Sequence, residues 1–220
     1  MEESDNELVD KLRRQIWHMV QAGKPIVLTT YTFSHSTEVY LEQVLTIFLE
    51  IMHQKSITDY VVYFVKELMG NAKKANIKRV YFNDKKLNIH RAEDYLQGMK
   101  TFKMDMLQNR KYYMTMQEKL RLYMRVKLWK ENNAIKIEVS NNSRITTFEE
   151  SRMQDKLEKG KQYVSLEDAL VEAVDDIEGA GLGFIILILM MKKMGIDREQ
   201  LWIEKGDSET RIGVNIPLSA

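Results

Sequence analysis

The stretch EGAGLGFIILILMMKKMG, Glu178 to Gly195, decides how the rest of the chain is read. Gly179, Gly181 and Gly183 stand at alternate positions and open an apolar run from Phe184 to Met191. A helix made from that run is apolar on every side and must be buried all round. Glycines ahead of a helix let backbone N–H groups turn toward a ligand with no Cβ in the way. The helix entrance adds roughly half a positive charge at the same place. Together they make an anion site, with phosphate as the usual occupant; the plainer reading is a flexible loop leading into a core helix. No Lys-Ser or Lys-Thr follows the last glycine, so the pattern is not a P-loop. An acidic, helix-like segment from Leu166 to Glu178 occupies the place where a dinucleotide fingerprint needs a strand.

Around this stretch lies a chain of 220 residues, 44% hydrophobic, which fits one large domain or one domain with an added lobe. The net charge is +1, so no global field draws it to nucleic acid or acidic lipid. There is no cysteine, which excludes disulfides and thiolate metal sites and suits a reducing compartment. The start, MEESDNELVD, is too acidic and polar for a signal peptide. The longest apolar stretch falls short of the ~20 residues of a membrane span. The expectation is a soluble, cytoplasmic protein without membrane insertion.

Upstream, Asn6 to Gln21 carries Leu8, Leu12, Ile16 and Val20 on one stripe and reads as a helix. Pro25 to Phe33 reads as a strand and Thr37 to His53 as a second helix. Ser56 and Asp59 are spaced as a capping box for a helix from about Ile57 to Asn76. On it, steps of four and three put Glu67, Asn71 and Lys74 on one face as a carboxylate, an amide and an ammonium in a row. A solvated polar face is the plain alternative. Arg79 to Phe82 and Lys86 to His90 read as short strands around an Asn83-Asp84 turn. Ala92 to Leu120 reads as one long charged helix. Tyr123 to Trp129 and Ala134 to Val139 form a hairpin around Glu131-Asn132-Asn133, followed by a polar turn from Ser140 to Ser143. Thr147 to Gly160 opens with Thr-x-x-Glu and reads as a helix. Ser165 and Asp168 cap an acidic helix to about Asp176. Gln200 to Glu204 and Thr210 to Ile216 are the last strands, and Pro217 stops the sheet.

Three of these segments, in order, resemble the histidine-kinase-like (GHKL) ATPases, the superfamily of gyrase, sensor kinases and anti-sigma-factor kinases. The helix E67-L-M-G-N71-A-K-K74-A resembles that family's N box. The turn V139-S-N141-N-S143-R-I145 is similar to its first glycine box, and E178-G179-A-G181-L-G183 to its second. The ending E209-T210-R-I-G-V-N-I-P217-L resembles the last strand of sensor-kinase catalytic domains. The resemblance implies an α+β fold, a two-layer sandwich of a mixed sheet and helices. Residues 56–220 would be the ATP-binding domain, residues 1–55 a helix–strand–helix extension, and the long helix after Lys78 an insertion.

The resemblance further implies ATP or ADP with Mg2+ as cofactors. Asn71 would hold the magnesium through its amide oxygen. Glu67, one turn earlier, would polarise water or an acceptor hydroxyl. Lys74 would lie near the phosphates, and Gly179, Gly181, Leu182 and Gly183 would offer them backbone donors. Phe148 to Asp176 would form a lid. Asn141 and Ser143 would meet adenine, with Thr210 reaching toward the same end. The family places an aspartate and a glycine where Asn141 and Ser143 stand. Exchanging the charged acceptor for a neutral one loses about 1 kcal/mol, roughly tenfold in affinity.

None of His18, His35, His53 or His90 is followed by an acidic residue, which disfavours autophosphorylation on histidine. The expected function is an ATP-binding signalling protein, a kinase or slow ATPase acting on a partner or phosphoacceptor protein, with the N-terminal helices available for homodimerisation. The alternative is a non-catalytic scaffold with an altered pocket. Lys100 to Lys130 holds nine Lys or Arg against two acids, and Phe148 to Glu178 holds ten acids against four bases. Pairing between such segments is preferred over a nucleic-acid surface.

Overall fold

The alternating strands set the frame. Met124 to Glu131 (β2) and Ala134 to Asn141 (β3) alternate buried and partly exposed residues, so one sheet face is apolar. Asn132 turns the hairpin with a φ of 53°, a left-handed conformation that Asn tolerates. The computed structural model describes residues 2–163 and 182–218. Within them, Ile26 to Thr30 is β1, Leu201 to Lys205 is β4 and Thr210 to Pro217 is β5. The five strands run in the order β1-β2-β3-β5-β4, and every pair is antiparallel. The fold is α+β, as expected, but the sheet is antiparallel where a mixed one was expected. Hairpins join β2 to β3 and β4 to β5, and β1 is added antiparallel at the edge.

Helices cover the apolar face. The helices among the described residues are α1 (Glu2–Gln21), α2 (His35–Ile51), α3 (Thr58–Asp84), α4 (Ala92–Gln108), α5 (Arg110–Lys119), α6 (Thr147–Gln162) and α7 (Leu182–Lys193), of which α4 and α5 pack on the end of α3 rather than on the sheet. Rows of cross-strand partners meet them: Leu128, Ile137, Val214 and Leu201 form one row, and Val126, Val139 and Ile212 the next. The last row is different. Met124 pairs with Asn141 and Asn141 with Thr210, which puts polar groups at one end of the helix-facing side. Leu45, Leu49 and Phe48 of α2, Val65 and Phe64 of α3, and Leu187 of α7 close the main core. Residues 1–55 share it through Ile16, Ile26 and α2.

α3 overruns its expected end. Val80, Tyr81 and Phe82 have strand-like side chains, but they belong to the last turns of a helix of 27 residues. They pack with Ile77, Tyr95, Phe102 and Tyr113 into a second core, so Arg79 to Phe82 is not a strand. The Lys86–His90 segment is likewise not a strand. The expected cap at Ser56 is absent: a 3-10 turn over Lys55–Ile57 leads into α3, whose N-cap, Ile57, has no side-chain cap bond. The long helix from Ala92 breaks at Asn109, whose amide donates to Asp105 Oδ1 at 2.7 Å. In α6 the capping box is Thr146 with Glu149, one residue earlier than the sequence suggested. The expected helix after Ser165 lies outside the described residues. No helix among them is long and apolar enough to cross a membrane.

Candidate functional site

The polar end of the sheet opens into a cavity of about 310 Å³ between α3, α4, α6 and α7. That volume lies at the lower end of the roughly 300–1,000 Å³ typical of small-molecule sites. Asn71 and Lys74 reach it from α3, Asn141 and Ser143 from the end of β3, and Thr210 from the start of β5. These five come from segments far apart in sequence. Register explains the second group: Asn141 and Thr210 are direct cross-strand partners.

Glu67 is placed differently. Its carboxylate lies against Gly183, where an added Cβ would run into Glu67 Oε1. The contact is with the end of the Glu67 side chain, so a larger residue at position 183 would displace that carboxylate rather than part the helices. Asn71 Nδ2 donates to Glu67 Oε1 at 3.2 Å, which ties the two together and leaves Asn71 Oδ1 for another partner. Glu67 is not among the residues that line the cavity. Leu182 is the first residue of α7. Gly179 and Gly181 lie outside the described residues, as does most of the expected lid; its described part is α6.

The site also contains residues that the motifs did not indicate. Asn76 is fully buried and connects the polar end: its Oδ1 accepts from Asn141 Nδ2 at 3.0 Å and from Ser143 Oγ at 2.7 Å. Its Nδ2 donates to the Tyr123 carbonyl at 3.0 Å. Thr210 Oγ1 donates to the Ser143 carbonyl at 2.7 Å. A signal for Asn76 existed in the sequence. It falls on the stripe Val65, Met69, Ala72, Asn76, Val80, where a polar residue breaks an otherwise apolar face.

Charge is concentrated on the cavity wall. Lys74, Lys78, Arg79, Lys103, Arg152 and Lys156 line it, and Glu149 is the one acid among the described lining residues. Arg79 grips Glu149 with two bonds of 2.6 Å, and Lys78 Nζ lies 3.7 Å from the same carboxylate. Burial pushes the Glu149 carboxyl up, but Arg79, Lys78 and the Thr146 backbone N–H outweigh it and hold it below the usual range. Burial pushes the Lys78 ammonium down; Glu149 opposes this, and Arg152, Arg79 and Lys74 add to it. Lys74 and Lys103 have no ion-pair partner among the described residues.

Tyr95, Met99, Phe102 and Met106 of α4 form an apolar wall, facing Val139 and Ile212 of the sheet and Phe184 of α7. Lys78 Nζ lies 5.9 Å from the ring centres of both Tyr95 and Phe102. The Tyr95 hydroxyl is buried with no hydrogen-bond partner among the described residues. The cavity thus joins an apolar and aromatic wall, a small polar network and a cationic side. That is the complement of a flat, polar-edged ring bearing anionic groups.

No protein-family model matches the chain, and no solved structure does. It is 38% identical over 207 residues to an uncharacterized protein of Treponema pallidum (strain Nichols). That alignment covers 93% of this chain and 40% of the relative, so the chain spans about two fifths of the length of the protein it matches.

Proposed function

We propose that this chain is an ATP-binding signalling protein of the histidine-kinase-like ATPase type, transferring phosphate to a partner protein or slowly hydrolysing ATP. The observation that carries the reading is the meeting of Asn71, Lys74, Asn141, Ser143 and Thr210 around one cation-lined cavity, with Gly183 packed on Glu67 beside it. The donor set suits Mg2+ and ATP. A hard cation prefers oxygen ligands, and Asn71 Oδ1 has no hydrogen-bond partner among the described residues. Lys74, with no ion-pair partner among the described residues, would meet phosphate as a point charge. Asn141 and Thr210 would hold the base end, with the apolar α4 wall beside it. Bound ATP supplies the transferable phosphoryl group. Glu67, whose carboxylate lies against Gly183 beside the cavity, would be the residue to orient an attacking hydroxyl or water.

Calorimetry tests the metal role. Asn71→Ala weakens ATP binding in magnesium by about tenfold to a hundredfold, the loss of one bond to a charged group, and changes little without the metal. Equal binding with and without magnesium, in both proteins, removes that role.

A second reading is a non-catalytic scaffold of the same fold. Glu67 favours it, since its carboxylate rests on the α7 entrance outside the cavity lining. Release or transfer of labelled phosphate, lost in Glu67→Ala, rejects the scaffold. Absence of turnover in a wild type that binds ATP supports it.

A further inference from the structure

In the nucleotide reading the base falls to Asn141, which lines the cavity, but an asparagine by itself is a poor reader. Its amide presents an acceptor and a donor, and turning it over exchanges them. An unrestrained amide therefore pairs as well with an edge that offers a donor and an acceptor as with its inverse. The buried network removes that freedom.

The polarity starts at the backbone. The Tyr123 carbonyl can only accept, so Asn76 must point its Nδ2 there, at 3.0 Å. That turns Asn76 Oδ1 to the opposite side, where it can only accept. Asn141 must then offer Nδ2, at 3.0 Å, and Ser143 must donate its hydroxyl, at 2.7 Å. The hydroxyl of Thr210 is likewise spent on the Ser143 carbonyl, at 2.7 Å. The atoms left for a ligand are the lone pairs of Asn141 Oδ1, Ser143 Oγ and Thr210 Oγ1. Beside them remains at most the second proton of Asn141 Nδ2. Asn141 Oδ1 has no hydrogen-bond partner among the described residues, and all three residues line the cavity.

We propose that Asn76 is a positioning residue that locks Asn141 as an acceptor toward the cavity and so selects a 6-aminopurine over a 6-oxopurine. The inference rests on the nucleotide reading above. Adenine offers an exocyclic amino donor beside a ring acceptor, which matches Asn141 Oδ1 and the remaining Nδ2 proton. Hypoxanthine offers a carbonyl beside a ring N–H, the inverse of both. Asn76 touches no ligand in this account; it acts by fixing the sense of the amide that does.

The test is the ratio of two affinities rather than either alone, since a loss of packing would weaken both together. Magnesium-ATP and magnesium-ITP differ only at this edge of the base. Wild type binds ATP more tightly by about tenfold or more, the usual value of one well-made two-point base contact. Asn76→Leu removes the anchor, frees Asn141 to turn and brings the two nucleotides to within about threefold. Asn76→Asp, protonated in its buried site, keeps the acceptor and retains the preference.

A wild type that binds neither nucleotide refutes the nucleotide reading itself. A wild type that binds both equally, or an Asn76→Leu protein with the full preference, overturns the role of Asn76 and leaves nucleotide binding standing. If Asn76→Leu does not fold, hydrogen exchange of the Asn141 carboxamide in wild type decides, its signals assigned by their loss in Asn141→Asp. One protected proton supports the anchor; two protons exchanging like those of an exposed amide overturn it.

Discussion

Glu149 shows how much one residue near the cavity carries. It closes the α6 capping box with Thr146, grips Arg79 and lies beside Lys78. Removing Arg79 leaves that buried carboxylate without its main partner, so Arg79→Ala costs about 3 kcal/mol in urea unfolding. The pH dependence has a definite sign. The folded-state pKa of Glu149 lies below its ordinary value. Its stabilisation is therefore complete above the unfolded-state pKa and is lost as pH falls through the folded one. The stability gap between wild type and Glu149→Gln narrows from about pH 7 to about pH 3. A gap unchanged by acid would show that the ion pair contributes nothing. None of this was legible beforehand: Arg79 and Glu149 are seventy positions apart, and only the crossing of α3 and α6 brings them together.

At the scale of elements, α3 organises the molecule because it serves two cores. Its first turns pack on α2 and the sheet, and its last turns meet α4 and α5. Local preference favours strand for Val80-Tyr81-Phe82, yet the segment is helical. Helical spacing lets Tyr81 reach Phe102, with ring centres 5.2 Å apart, and donate to the Gly98 carbonyl at 3.1 Å. Burial of that kind outweighs β-propensity, which spans only about 1 kcal/mol. The second core makes its own prediction. Phe102→Ala removes a buried ring and costs about 3–5 kcal/mol locally. Hydrogen exchange then speeds in α4, α5 and the end of α3, while β2, β3 and β5 keep their protection. Uniform acceleration would mean that the two clusters unfold as one. The break at Asn109 has the same origin: α4 and α5 both need faces on this small cluster, and a straight helix from Ala92 to Leu120 would carry one of them away.

For the whole molecule, residues 1–55 are part of the core. β1 supplies an edge of the sheet, and Leu45, Phe48 and Leu49 of α2 are essentially inaccessible to solvent. Residues 56–220 expressed alone expose the α3 face that α2 covers. The expected product binds a hydrophobic dye and lacks a cooperative melt; a sharp melt with no dye binding would show that this part folds independently.

What the sequence by itself determined was local or periodic. Alternation gave the β2–β3 hairpin and the last two strands, 3.6-residue periodicity gave α1, α2 and most of α3, and i, i+3 and i+4 spacing put Glu67, Asn71 and Lys74 on one face. Asn141, Ser143 and Thr210 were named by the resemblance to the histidine-kinase-like ATPases rather than by any period, and the structure brings them to one cavity. The tertiary structure decided the rest. It made the sheet antiparallel throughout, drew Glu67 to Gly183, closed the cavity with α4 and placed Asn76 beneath Asn141. Those outcomes depend on burial shared between distant segments, and the energy of such contacts exists only once the helices have packed on the sheet.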